Sequence, residues 1–134
     1  MFDNYTMATT TYTDMIRNAM QTKLALIPYY YTQMSMIHKD GGAFYRPLFF
    51  DFPQDPNAYL NQTHNVMLGS AMKASFQSTE NATVDWTDYY FPDGVWCSVM
   101  NKSGGCVTGP NTHRLASSIY NSYAHIKDGS IVPL

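Results

Sequence analysis

Between Thr13 and His38 an apolar residue returns at every third or fourth position. Ile16, Met20, Leu24, Ile27, Tyr31 and Met34 fall on one face of a helix. Thr13-Asp14 opens it with an acidic side chain in the first turn, and Asp40-Gly41-Gly42 supplies the stop. Pro28 lies inside this run and removes one backbone hydrogen bond, so a kink is expected near Leu24. A Met and Tyr stripe at this spacing reads as core rather than as the lining of a ligand pocket.

After Gly42 the period changes. Phe44 to Phe52 is aromatic and reads as an extended strand, closed by the turn residues Pro53-Gln54-Asp55-Pro56-Asn57. Shorter runs follow at His64 to Leu68, Ala71 to Phe76 and Ala82 to Phe91. The last of these alternates near its start, with Val84 and Trp86 opposed to Asp85 and Thr87. Pro92-Asp93-Gly94 reads as a turn into Val95 to Val99. Weaker strand signals lie at Ser118 to Tyr120 and Tyr123 to Lys127, before a turn at Lys127-Asp128-Gly129. Many short strands with Gly, Pro and Asn punctuation predict a β-sandwich. The expected fold is mainly β with one long N-terminal α-helix, divided into residues 1–42 (helix and flanks) and 43–134 (sandwich).

Composition narrows the function classes. The 134 residues make one domain, able to bury roughly 65–70% of the unfolded surface. Charged residues are 13% of the chain and the net charge is -2, so there is no electrostatic footprint for nucleic acid. Lys and Arg are scattered singly, which argues against a membrane-surface patch, and no segment approaches a membrane span. Asn-x-Ser/Thr acceptor patterns occur at Asn4, Asn61, Asn81 and Asn101, an excess over chance, with chance matches in a Thr-rich chain the other reading. Cys97 and Cys106 flank a hairpin-tip sequence that brings them together. A disulfide there implies an oxidising compartment, and two free buried thiols are the other reading. These features point to the secretory route: extracellular, cell-surface or lysosome-like. Met1 to Thr6 is no signal peptide, so the sequence is expected to be part of a longer chain.

Catalytic constellations are sparse. Asp51, Asp55, Asp85, Asp88 and Asp93 sit on strands or turns, where turn formation is the ordinary role of Asp55 and Asp93. Asp51 with Arg46 is a candidate structural ion pair. His38, His64, His113 and His125 are isolated in sequence, so no metal site is expected. Gly104-Gly105 does not precede a helix and forms no phosphate loop, and no nucleophile elbow supports a Ser-His-Asp triad. Tyr29, Tyr30, Trp86, Tyr89, Tyr90 and Trp96 offer either a sugar-stacking platform or packing of the helix on the sheet, and packing is the favoured reading.

Four blocks, in order, resemble family 31 of the glycoside hydrolases. Leu26-Ile27-Pro28-Tyr29-Tyr30-Tyr31-Thr32 is similar to the family's Leu-Leu-Pro-Tyr-Leu-Tyr-Thr in the last barrel helix, where the kinking proline is a family feature. Arg46-Pro47-Leu48-Phe49-Phe50-Asp51-Phe52-Pro53 is similar to Arg-Pro-Leu-Phe-x-Glu-Phe-Pro, with Asp51 where the family usually has Glu. Tyr90 to Trp96 resembles Tyr-x-Pro-x-Gly-x-Trp, and Ile126 to Pro133 resembles a stretch ending Arg-Gly-Gly-Ser-Ile-x-Pro. The departures are Lys23 for a frequent Arg, Cys97 for a common Tyr, and Lys73 in an otherwise apolar run. That lysine either snorkels out or marks a more exposed strand.

The resemblance implies the last helix of a (β/α)8 barrel joined to the proximal C-terminal β-sandwich of an α-glucosidase-like enzyme. Such enzymes use two barrel Asp residues, retain anomeric configuration and need no cofactor. Their catalytic residues precede the Leu-Pro-Tyr helix, and a whole barrel needs ~200–250 residues, so this chain is expected to hold none of them. Its expected partners are the rest of the parent glycosidase and N-linked glycans. A non-catalytic glycoprotein module derived from the family is the alternative.

Overall fold

The computed structural model describes residues 12–60, 62–76, 86–99, 105–116 and 122–133. Helices α1 (Tyr12–Ala25) and α2 (Ile27–Asp40) come first. The stripe expected as one kinked helix is two, with the break at Leu26 rather than Leu24. Leu26 donates to the Thr22 carbonyl and Tyr30 to the Leu26 carbonyl, so the backbone ladder survives around the break. Pro28 falls in the first turn of α2, where its missing N–H costs nothing. Gly41 ends α2 at φ 82°, its N–H on the Ile37 carbonyl at 2.8 Å.

The expected strand from Phe44 to Phe52 is not one. Only Tyr45–Arg46 is extended (β1), and Leu48–Asp51 is a helical turn (α3). Leu48 and Phe50 would share a face in a strand; here Leu48 is 0% exposed and Phe50 61%. Pro47 holds the extended entry at ψ 155°, and Phe52 donates back to the Leu48 carbonyl at 3.0 Å. Asp55 then caps a 3-10 turn over Pro56–Tyr59, accepting the Asn57 N–H at 2.9 Å.

The rest is one antiparallel sheet in the order β1-β2-β3-β6-β4-β5. Its other strands are β2 (Asn65–Leu68), β3 (Met72–Phe76), β4 (Trp86–Ser98), β5 (Cys106–Ala116) and β6 (Ser122–Lys127). β4 was expected as two strands parted by a turn at Pro92-Asp93-Gly94. It runs continuously, and the register shift between Phe91 and Gly94 makes those residues a bulge. The strand implied after Cys106 by the cysteine hairpin runs on to Ala116 as β5, straight through Gly109-Pro110. In the fold Gly109 lies against the bulge, and a Cβ there would stand 2.0 Å from the Pro92 carbonyl oxygen. Each proline thus sits where the ladder is already irregular. The weak signal at 118–120 lies outside the described residues.

β4 bonds to β6 only through Trp96, Cys97 and Ser98. Farther back along the same strand, Tyr89 packs on Tyr123 (ring centroids 6.0 Å apart) and Phe91 on His125 (4.9 Å). These are face contacts, so the β4–β5 ribbon folds back over β3 and β6 as the second layer of a sandwich. Leu48, Ala58, Met67, Tyr89, Tyr90, Phe91 and Trp96 form the core between the layers. On the opposite face, Leu26 and Tyr29 pack on Ala71 and Met72.

Candidate functional site

Three groupings of side chains stand out. The first joins the helices to the sheet. Tyr29 donates to the Leu68 carbonyl at 2.6 Å and accepts the Ala71 N–H at 3.2 Å, spanning the β2–β3 turn. Gln33 Oε1 accepts from the Ser70 N–H (2.9 Å) and hydroxyl (3.1 Å). This close approach requires Gly69, at φ 62°, since a Cβ would lie 2.6 Å from Gln33 Oε1. Arg46 donates to the Gly69 carbonyl at 2.8 Å and pairs with Asp51 Oδ2 at 3.1 Å. The two ion-pair candidates therefore meet, and Arg46 ties their pair to the same turn.

The second grouping lies between the sheet layers. Lys73, expected to snorkel or to mark an exposed strand, is wholly buried and partnered. Its ammonium donates to Asn65 Oδ1 at 2.7 Å and to Ser75 Oγ at 2.5 Å, and sits 4.0 Å from the Phe91 ring centroid. Burial lowers its pKa to about 7. His125 is pushed down to about 4, first by burial and then by the positive charges of Lys73 and His113. Three of the four histidines isolated in sequence are gathered here: His113 and His125 flank the Phe91 ring, and the His64 ring meets Tyr89, while His38 is exposed in the last turn of α2. The inward alternation of Lys73 and Ser75, against Asn65, was the signal available in the sequence.

The third grouping pins the loop after α3. Tyr90 donates to Asp55 Oδ2 at 2.5 Å. Burial and then the Asp55 carboxylate push its phenol up to about 12.

The remaining expected positions divide plainly. Asp88 pairs with Arg114 on the surface, which holds its carboxyl below the usual range. Among the described residues no three His, Cys, Asp or Glu side chains gather to hold a metal ion. Tyr29, Tyr89, Tyr90 and Trp96 are buried and serve packing, whereas Trp86 is 56% exposed. Cys97 and Cys106 are cross-strand partners joined in a disulfide, with Cα atoms 4.0 Å apart. Asn4, Asn61, Asn81, Asn101 and Asp85 lie outside the described residues. No helix among the described residues is long and apolar enough to cross a membrane.

The face of α1 and α2 turned from the sheet is the largest departure from expectation. Ile16, Met20, Leu24, Ile27, Tyr31 and Met34 were read as core, yet all are open to solvent, from 48% at Ile27 to 77% at Tyr31. The residues buried against the sheet, Leu26 at the break and Tyr29 of α2, lie off that stripe.

Residues 41–132 match the model of the glycosyl hydrolase family 31 C-terminal domain. An alpha-glucosidase of Hordeum vulgare is 32% identical over 119 residues, which are 88% of this chain and 13% of that protein. Lysosomal alpha-glucosidase of Mus musculus is 28% identical over 89% of this chain and 14% of its own length. The fold superposes on a family 31 dextranase of Flavobacterium johnsoniae with TM-score 0.80 at 21% identity, covering 92% of this chain and 15% of that one. It superposes on a family 31 alpha-xylosidase from a soil metagenome with TM-score 0.77 at 20% identity, covering 97% and 19%. The chain thus spans a small part of the relatives it matches. It belongs to glycosyl hydrolase family 31, whose C-terminal domain it carries.

Proposed function

We propose that this chain is the C-terminal structural portion of a family 31 α-glycosidase. Residues 1–42 supply the last barrel helix and its flanks, and residues 43–134 the proximal β-sandwich. The parent reaction is hydrolysis of α-linked glucosyl residues from the non-reducing end, without a cofactor, by carboxylates of the barrel. This chain's part is to close the barrel and support loops near the active site. The rest of the glycosidase, barrel and N-terminal domain, is its partner.

The observation that carries the reading is the apolar stripe from Ile16 to Met34. Exposing six large apolar side chains in one row is costly in water, at about 25 cal/mol per Å². A neighbouring barrel helix and strand would bury them. Support also comes from the Tyr29, Gln33, Gly69 and Arg46 junction, which orients α2 rigidly on the sandwich. In such a role the Arg46–Asp51 pair is a brace, not an acid and base.

The test is mass spectrometry of the native protein together with glucose release from maltose. Peptides preceding Met1 that contain two barrel Asp residues, with activity, support the reading. Absence of upstream peptides overturns it, as does a barrel in which both Asp are replaced.

We also propose a secretory destination, with N-glycans at Asn4, Asn61, Asn81 and Asn101. The Cys97–Cys106 disulfide supports it, since such bonds persist in oxidising compartments. Enzymatic removal of N-glycans is expected to shift gel mobility, and an unchanged band overturns the assignment.

A further inference from the structure

Lys73 of β3 and His125 of β6 are direct cross-strand partners, and alternation turns both onto the inner face of the sheet. Lys73 is 0% exposed and His125 3%. The groups around them come from each element packed there: Asn65 from β2, Ser75 from β3, Tyr123 from β6, Tyr89 and Phe91 from β4, and His113 from β5. His64 adds its ring beside Tyr89. Every titratable member of this set is a base or a phenol. Five described carboxylates are engaged elsewhere: Asp51 with Arg46, Asp55 with Tyr90, Asp88 with Arg114, Asp14 with Arg17 and Asp128 with the Gly129 N–H.

Hydrogen bonding points the same way. The Lys73 ammonium has two neutral acceptors and a ring face. His125 Nδ1 and His113 Nε2 are buried without a hydrogen-bond partner. A proton added at His125 Nδ1 would be a buried N–H with no acceptor, beside a second positive charge. One charge is accommodated between these layers and two are not.

We propose that the Lys73–His125 pair is an acid-released clasp, at which protonation detaches the β4–β5 layer locally from β3 and β6 so that water reaches the new charge. The direction follows from linkage. The folded pKa of His125 lies near 4, below its ordinary 6.5, so its contribution to holding the layers is complete above 6.5 and is lost as pH falls toward 4. Lys73, at about 7 against an ordinary 10.5, is already largely charged when that fall begins. The clasp therefore opens across the range that separates a neutral from an acidic compartment.

The experiment is hydrogen exchange with mass spectrometry on the intact protein carrying this chain, from about pH 7.5 to about pH 4.5, corrected for intrinsic exchange. Amides of 72–76 and 122–127 are expected to lose protection by at least about ten-fold while those of 27–40 hold. His125→Phe should remove most of that loss and Lys73→Met a smaller part of it, since burial depresses His125 more than the Lys73 charge does. If one variant does not fold, the other and the pH profile of the unmodified protein still decide. Protection that is flat with pH, a loss shared equally by the helices, or equal loss in the unmodified and variant proteins would overturn the clasp.

Discussion

The two faces of β3 solve burial in opposite ways. On the inner face Lys73 and Ser75 point into the sandwich and satisfy each other with Asn65 under the rings of Phe91 and its neighbours. On the outer face Met72 lies under Leu26 and Tyr29, and one phenol bridges helix to turn. Lys73, Ser75 and Asn65 on the inner face find one another through strand register, because Asn65 opposes Ser75. The outer face depends on side chains brought to the turn by a helix, Tyr29 and Gln33. The inner face closes on itself; the helices covering the outer face leave an apolar stripe open. One strand thus belongs both to a finished interior and to a surface built for addition.

The sharpest blow to the inner face is Trp96→Ala. It empties the centre of that core and deletes the indole bond to the Pro92 carbonyl, with an expected loss of about 3–5 kcal/mol in denaturant unfolding. Next comes the hairpin that forms the covering layer. Cys97→Ser with Cys106→Ser is expected to cost roughly 2–3 kcal/mol, judged from the short loop it opens, and reducing agent should reproduce it.

On the outer face, Tyr29→Phe keeps the ring but leaves the Leu68 carbonyl and Ala71 N–H short of a partner. It should lower the unfolding midpoint by an amount worth about 1–2 kcal/mol. Lys73→Met on the inner face should cost less than about 1 kcal/mol near pH 7, since an apolar replacement ends the desolvation of a charge. If Tyr29→Phe proves cheaper than Lys73→Met, the contrast between the faces fails. A pH series sharpens it further. The Lys73 pKa is lowered on folding, so the unfolded chain binds the extra proton and stability should rise from about pH 7 to about pH 9, with a slope Lys73→Met lacks.

Much of this could be read from the residues, and the failures have physical causes. The helical period, an interruption near Pro28, several strands after His64 and the cysteine hairpin rest on local period or spacing, which a single sequence displays, whereas the burial of the helix stripe does not. Leu48-Phe49-Phe50-Asp51 misled because four apolar and acidic residues after a proline carry no period long enough to separate a strand from a helical turn. The length of β5 was hidden because its Gly109-Pro110 has the composition of a turn, and only the matching bulge in β4 lets the strand continue. Lys73 was misread for a related reason. Whether a buried amine has partners depends on strands whose register the sequence does not display.

The placement of β6 bears on how the domain is made. The β2–β3 and β4–β5 pairs join neighbours in sequence and can form as soon as each has left the ribosome, but β6 is the strand between them in the sheet. Until residues 122–127 are synthesised, β3 and β4 each present an unpaired edge to other nascent chains. Among the described residues β6 is therefore the strand that retires both edges, and a chain truncated before it would leave two hairpins open to aggregation rather than a slightly shortened domain.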